Sequence, residues 1–250
     1  MKPNKYLGQN FLTSKKIVEE IIKAASLDSK DTVLEVGPGT GFLTEELVKR
    51  AGRVIAVEKD ERMIDYLKEK FANVKNLKII HNDILKFKFH VLDYKVVANI
   101  PYYITSRFLR TFLENPPIGG QPSKMVLMVQ KEVAERITSG KESILSISVK
   151  IYGQPKIIKK VSAKYFSPQP KVDSAILLID NISKDFFRDI NEKKFFELVK
   201  KGFSSKRKML KNNLGLSNTE CLTRCGISEK ARAEDLSPES WKCLFKNIDK

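Results

Sequence analysis

The stretch Val33-Leu34-Glu35-Val36-Gly37-Pro38-Gly39-Thr40-Gly41 narrows the folds open to this chain more than any other. The short apolar run over 32–36 reads as a buried parallel strand. It enters three glycines at alternate positions and then Phe42-Leu43-Thr44-Glu45-Glu46-Leu47-Val48, which has helical spacing. Strand, glycine turn and helix open a nucleotide-binding βαβ unit, because glycine permits the sharp turn and the close approach of a ligand to the main chain. The spacing then selects among ligands. A dinucleotide fingerprint, G-x-G-x-x-G, needs its third glycine where this chain has Phe42. Glu35, two residues before the first glycine, would repel a pyrophosphate and suits a cationic ligand without phosphates.

A chain of 250 residues holds one full α/β domain and a smaller appendage. Hydrophobic content of 42% beside 30% charged residues is ordinary for a globular protein. The net charge of +16 is not. Lys and Arg number 46 against 30 Asp and Glu, and this excess points to a nucleic-acid partner over a merely solvated basic surface. Cys221, Cys225 and Cys243 form no C-x-x-C pair, so neither a zinc site nor a disulfide framework is expected, and the cysteines read as small buried apolar residues. His81 and His90 stand apart, and no metal is expected. Residues 1–6 lack the apolar core of a leader, and no apolar run approaches a membrane span, so the protein is expected in the cytoplasm, away from membranes.

Thr13 or Ser14 is placed to cap a helix over 16–25 with Ile17, Val18, Ile21 and Ile22 as its apolar stripe. Ahead of it, Gly8-Gln9-Asn10-Phe11-Leu12 reads either as an arm anchored to the domain or as a lid over a ligand, and the residues alone favour the arm. A second strand over 53–57 ends in Glu58, about twenty residues past Gly37, where α/β nucleotide sites place an acid for ribose hydroxyls. Asp60 is better placed to cap the next helix, over 60–71. The third strand, 77–81, ends in Asn82-Asp83, where a carboxylate can accept the exocyclic amine of an adenine ring. Acids at three successive strand ends favour one shared crevice. The glycine run itself resembles the first motif of S-adenosylmethionine-dependent methyltransferases.

The fourth strand, 94–98, delivers Asn99-Ile100-Pro101-Tyr102, the most specific stretch of the chain. An adenine amine is a poor nucleophile because its lone pair is delocalised into the ring. The Asn99 side-chain oxygen and the Pro101 carbonyl can each accept one of its N–H bonds, localising the lone pair and aiming it at a methyl group without a strong base. Tyr102 can stack on a base turned out of its helix. The alternative, an Asn-Pro turn closed by a buried tyrosine, loses ground behind a methyl-donor crevice.

Asn99-Ile100-Pro101-Tyr102 resembles the N-[IL]-P-Y motif of the ribosomal RNA adenine dimethylases. Gly8-Gln9-Asn10-Phe11-Leu12 is similar to their G-Q-N-F-L motif, Glu35 to Gly41 to their E-x-G-x-G-x-G, and Phe166 to Ser174 to their F-x-P-x-P-K-V-D-S segment. The resemblance implies that Asn10 and Leu12 line the cofactor site with Gly37, Glu58, Asp83 and Asn99, overturning the arm reading, and it favours Phe166 as a second stacking face over an ordinary core phenylalanine. It implies S-adenosyl-L-methionine as cofactor and dimethylation of two adjacent adenines near the 3′ end of small-subunit (16S) ribosomal RNA, within the pre-30S ribosomal particle. Large-subunit resistance methylases are the runner-up branch. A non-catalytic assembly factor and a DNA adenine methyltransferase stay open as other classes. Tyr103 and Arg107 depart from the residues usual in small-subunit enzymes.

Helices are expected over 106–113, from 130, and over 143–152, where strand-like alternation competes; a fifth strand covers 125–129. The Asn115–Pro122 loop breaks the first of these helices. Strands near 156–161 and 172–179 close the sheet as an antiparallel hairpin. The whole is expected to be an α/β, Rossmann-like class I methyltransferase, with a mostly parallel seven-stranded sheet over 1–182 and a small α-helical domain over 183–250. Lys200, Lys201, Lys206, Arg207, Lys208 and Lys211 cluster without an intervening acid and read as a footprint for an RNA backbone, recognised by shape. The protein is expected to be a monomer.

Overall fold

The computed structural model describes residues 8–88, 91–116 and 119–248. Residues 1–6, expected to carry no leader, His90 and residues 117–118 at the centre of the proline-rich loop lie outside the described residues. Contacts divide the chain into two compact units, residues up to 135 with 154–182, and residues 136–153 with 183 onward. Residues 136–153, expected in the sheet domain, therefore belong with the helical unit. Glu142 N–H donates to the Glu234 carbonyl at 2.7 Å and the Tyr152 hydroxyl to Glu192 Oε1 at 2.6 Å, which ties them there.

The first unit begins with β1 (Phe11–Leu12) and α1 (Lys15–Ala25), followed by β2 (Thr32–Val36), α2 (Thr44–Leu47) and β3 (Arg53–Glu58). It continues through α3 (Glu61–Lys70), β4 (Leu77–His81), β5 (Lys95–Asn99) and α4 (Thr105–Glu114) to β6 (Lys124–Gln130). Helix α5 (Lys131–Thr138) leads to α6 (Ile144–Lys150) of the second unit, and the chain returns to the first in β7 (Gln154–Val161), β8 (Phe166–Ser167) and β9 (Ser174–Asp180). Seven strands form one sheet in the order β4-β3-β2-β5-β6-β9-β7. The five from β4 to β6 are parallel, and β9 and β7 join antiparallel as the expected hairpin. The central strands carry Val33, Val36, Val54, Val57, Val96 and Val97 wholly or almost wholly buried, as parallel strands covered on both faces require. Reversal of order between β3-β2 and β5-β6 makes the carboxyl ends of β2 and β5 the switch point where such sheets bind ligands.

Ser14 stands at the N-cap position of α1, but neither it nor Thr13 caps with its side chain; the Thr13 hydroxyl donates instead to the Tyr165 carbonyl at 2.9 Å. The ambiguous stretch at 143–152 is helical, closed by a capping box between Ser143 and Ser146. β1 and β8 form a two-residue antiparallel ladder, Phe11 opposite Ser167 and Leu12 opposite Phe166, which the sequence did not foretell.

The second unit adds α7 (Glu192–Gly202), α8 (Leu210–Leu214), α9 (Glu220–Arg224) and α10 (Pro238–Asn247). Trp241 and Phe195 are wholly buried in it, and a side chain on Gly202 would collide with the Trp241 ring. Cys225 and Cys243 are joined in a disulfide, against the expectation of unpaired cysteines, while Cys221 is free and buried. The sequence separation of 18 hides the pair, since only folding brings the two together. No helix among the described residues is long and apolar enough to cross a membrane.

Candidate functional site

A crevice of about 260 Å³ opens at the carboxyl ends of β2, β3, β4 and β5. The glycine turn forms its floor. Gly37, Gly39 and Gly41 all have left-handed backbone, with φ of 65°, 55° and 75°. At Gly39 the requirement is double, because a Cβ there would also stand 2.7 Å from the Phe11 ring. Glu58, the last residue of β3, faces this turn. Its Oε2 accepts from Gly39 N–H at 3.1 Å, and its Oε1 from the N–H groups of Lys59 and Asp60 at 2.8 and 2.9 Å. Burial pushes the Glu58 carboxyl up, against the pull of these three donors.

Asp83 lines the next wall, where it accepts from Lys59 Nζ at 2.9 Å and from Leu85 N–H at 3.0 Å. Partial burial pushes its carboxyl up, but these hydrogen bonds and the lysine charge outweigh it and hold the group below its ordinary value. Asp60 caps α3 by accepting from Arg62 N–H at 3.2 Å, and its other oxygen accepts from the Gln9 amide at 2.9 Å. That bond ties the N-terminal segment to the corner between β3 and α3, and Gly8, Gln9, Asn10 and Phe11 all line the crevice.

Asn99, the last residue of β5, donates from Nδ2 to the Asn10 carbonyl at 3.0 Å. This fixes the amide and leaves Oδ1 without a hydrogen-bond partner among the described residues. The Pro101 carbonyl already accepts from Ile104 N–H at 3.2 Å, keeping one lone pair for a further donor. The Tyr102 ring lines the crevice, with its hydroxyl 2.6 Å from Ser174 Oγ. Tyr103, 60% exposed, lies against Gly8, and Arg107 reaches the same rim from the first turn of α4.

Asn10, Gly37, Glu58, Asp83, Asn99, Pro101 and Tyr102 are thus brought together, and three other expectations are corrected. Leu12 and Phe166 do not line the crevice: both are buried in the apolar core beside α1. Successive side chains of a strand point to opposite faces, so the β1–β8 ladder that sends Phe11 to the crevice sends Leu12 and its partner Phe166 away from it. Glu35 is 1% exposed and also outside the lining; its Oε2 accepts from the Thr44 hydroxyl at 2.7 Å. It therefore fixes the start of α2, and the acids that reach the crevice are Glu58 and Asp83. Phe11 and Lys59 were missed. Strand alternation can reveal Phe11 once β1 is known to be a strand, whereas no local signal marks Lys59.

In the second unit, Lys200 and Lys201 occupy the last turn of α7, and Lys206, Arg207 and Lys208 the turn before α8; all five are exposed. Lys211 differs, because Glu229 Oε2 lies 2.9 Å from its Nζ. The absence of acids within the sequence cluster did not exclude a tertiary partner.

The model of the ribosomal RNA adenine dimethylase family matches residues 1–250. The chain belongs to this family. Among curated relatives, a ribosomal RNA small subunit methyltransferase A of Dehalococcoides mccartyi is 45% identical over 98% of this chain and 88% of its own. A protein of the same name from Clostridium botulinum is 40% identical over 96% of this chain and 92% of its own. Among solved structures, a dimethyladenosine transferase from Plasmodium falciparum superposes with a TM-score of 0.83 at 29% identity, covering 96% of this chain and 97% of that one. The 23S rRNA methyltransferase ErmE gives 0.81 at 29% identity, covering 96% and 100%. The dimethylase chain therefore has the class I methyltransferase fold with appended C-terminal helices.

Proposed function

We propose that this dimethylase transfers methyl groups from S-adenosyl-L-methionine to the exocyclic amines of two adjacent adenines near the 3′ end of 16S ribosomal RNA, as part of ribosome biogenesis. The observation that carries the reading is the Asn99 amide, held by the Asn10 carbonyl so that its oxygen is free for an incoming donor. The relatives named for the small subunit, at 40% and 45% identity against 29% for the 23S enzyme, support that branch.

The crevice fits the donor. Gly37 and Gly39 let the main chain approach it, Glu58 suits ribose hydroxyls, Asp83 suits the adenine amine, and Asn10 and Phe11 cover them. S-adenosyl-L-methionine, when bound, supplies an electrophilic sulfonium methyl. Asn99 Oδ1 and the Pro101 carbonyl accept the N–H bonds of the target amine, localise its lone pair and hold it in line. Tyr102 stacks on the extruded base. The first round engages both acceptors. The methylated nitrogen keeps a single N–H, so one of the two acceptors holds it in the second round, and each round ends with the loss of one amine proton to solvent. The exposed Lys200, Lys201, Lys206, Arg207 and Lys208 contact the RNA backbone, with Lys211 contributing less while Glu229 neutralises it. The residues proposed to act all come from one chain, which supports a monomeric enzyme, and a ribosomal substrate supports action in the cytoplasm.

The test is methyl transfer from labelled donor to under-methylated small subunits, with large-subunit RNA and DNA in parallel. Label confined to the small subunit supports the reading. Label in large-subunit RNA moves the protein to the resistance branch, label in DNA to a different class, and donor binding without any transfer to an assembly role alone.

A further inference from the structure

Ser174 opens β9 and is completely buried. Its backbone is clamped from both sides, opposite Gln130 of β6 and Val161 of β7. The preceding residue tightens the clamp: the Asp173 carbonyl accepts from Lys131 N–H at 3.0 Å and its carboxylate from Ala163 N–H at 3.0 Å. From this fixed point Ser174 Oγ meets the Tyr102 hydroxyl at 2.6 Å, and neither hydroxyl has another hydrogen-bond partner among the described residues. Tyr102 begins the short 3-10 turn Tyr102–Ile104 after Pro101, so its ring is held at the backbone end by that turn and at the phenol end by β9.

We infer that Ser174 is a positioning residue for methyl transfer, fixing through the Tyr102 hydroxyl the plane on which the target adenine stacks. The inference rests on the proposed role of Tyr102. A tyrosine ring swings about two side-chain torsions, and an anchor at the far end of the ring removes that freedom before the base arrives. The distance from stacking plane to acceptor is then set by the sheet, because Asn99 ends β5 and Ser174 begins β9, and both strands pair with β6. A ring free to tilt would carry the amine out of line with the methyl, where rate depends steeply on geometry. Phe166, expected as a second stacking face, is in the core, so Tyr102 is the ring whose orientation matters.

The variants are Ser174→Ala, Tyr102→Phe, the double variant, and Ser174→Thr, which keeps the hydroxyl. Single-turnover methyl transfer to small subunits is measured beside donor affinity and thermal midpoint. Fluorescence of 2-aminopurine, replacing the target adenine in a short RNA, reports stacking. We expect Ser174→Ala and Tyr102→Phe each to slow transfer about tenfold, with donor affinity and midpoint near wild type and weaker quenching of 2-aminopurine. Ser174→Thr should recover the rate, and the double variant should be no slower than the slower single one, as two ends of one hydrogen bond require. Wild-type rate and quenching in Ser174→Ala overturn the inference, as does a double variant whose losses multiply. If Ser174→Ala does not fold, Tyr102→Phe and Ser174→Thr decide by the same readings. A wild-type protein that methylates no subunits overturns the proposed function instead.

Discussion

Glu35 and Glu58 lie on neighbouring strands and on the same face of the sheet, since Glu35 pairs with Ala56, two residues before Glu58. Only Glu58 stands at a strand end and reaches the crevice. Glu35 sits one residue inside β2, and complete burial pushes its carboxyl up to about 8, opposed by the Thr44 hydroxyl and reinforced by the Glu58 charge. This raised value fixes the sign of a pH effect. Between the unfolded value, 4.5, and the folded one, about 8, the folded state keeps a proton that the unfolded state has lost, so Glu35 costs stability progressively as pH rises through that window. Glu35→Gln keeps an acceptor for Thr44 and carries no charge. We expect it to match wild type near pH 4.5 and to exceed it at pH 8 by roughly 2–4 kcal/mol in urea titrations. A wild-type protein that is no less stable at pH 8 relative to Glu35→Gln than at pH 4.5 contradicts this assignment. The sequence showed an acid before the glycines; that its oxygen is spent on Thr44 depends on where α2 starts, which the glycine spacing does not reveal.

At the scale of elements, the parallel strands, the glycine turn and the acids at the ends of β3 and β4 were legible, because buried β-branched runs and turn glycines are local signals. What escaped was pairing. Phe11–Leu12 is too short to read as a strand, so the motif resemblance points Leu12 to the cofactor site, whereas the ladder to β8 turns Phe11 to the crevice. The grouping of 136–153 with the helical unit was hidden because contacts decide it and composition does not. At the turn itself, Gly39 combines left-handed backbone with the Phe11 ring 2.7 Å from any added Cβ. Gly39→Ala is expected to weaken donor binding at least tenfold in calorimetry, because both the turn and Phe11 must shift. Unchanged affinity would mean that the turn does not form the floor of the donor site.

For the whole molecule, a net charge of +16 is the property an RNA partner reads first. The exposed Lys206, Arg207 and Lys208 have no ion-pair partner among the described residues, so their joint replacement by alanine should weaken binding to small-subunit RNA and flatten the dependence of log affinity on log salt by about two to three. Donor affinity should not move; an unchanged salt slope would remove this cluster from the RNA interface. Charge supplies the encounter, and Asn99 decides whether chemistry follows. The most direct measurement is therefore mass spectrometry of the 3′ region of 16S RNA after incubation of under-methylated small subunits with wild type and with Asn99→Ala, alongside their affinities for donor and RNA. We expect two methyl groups on each of two adjacent adenines with wild type, and none with Asn99→Ala while RNA binding survives. Methylation by Asn99→Ala at the wild-type rate would contradict the proposal that this amide activates the amine.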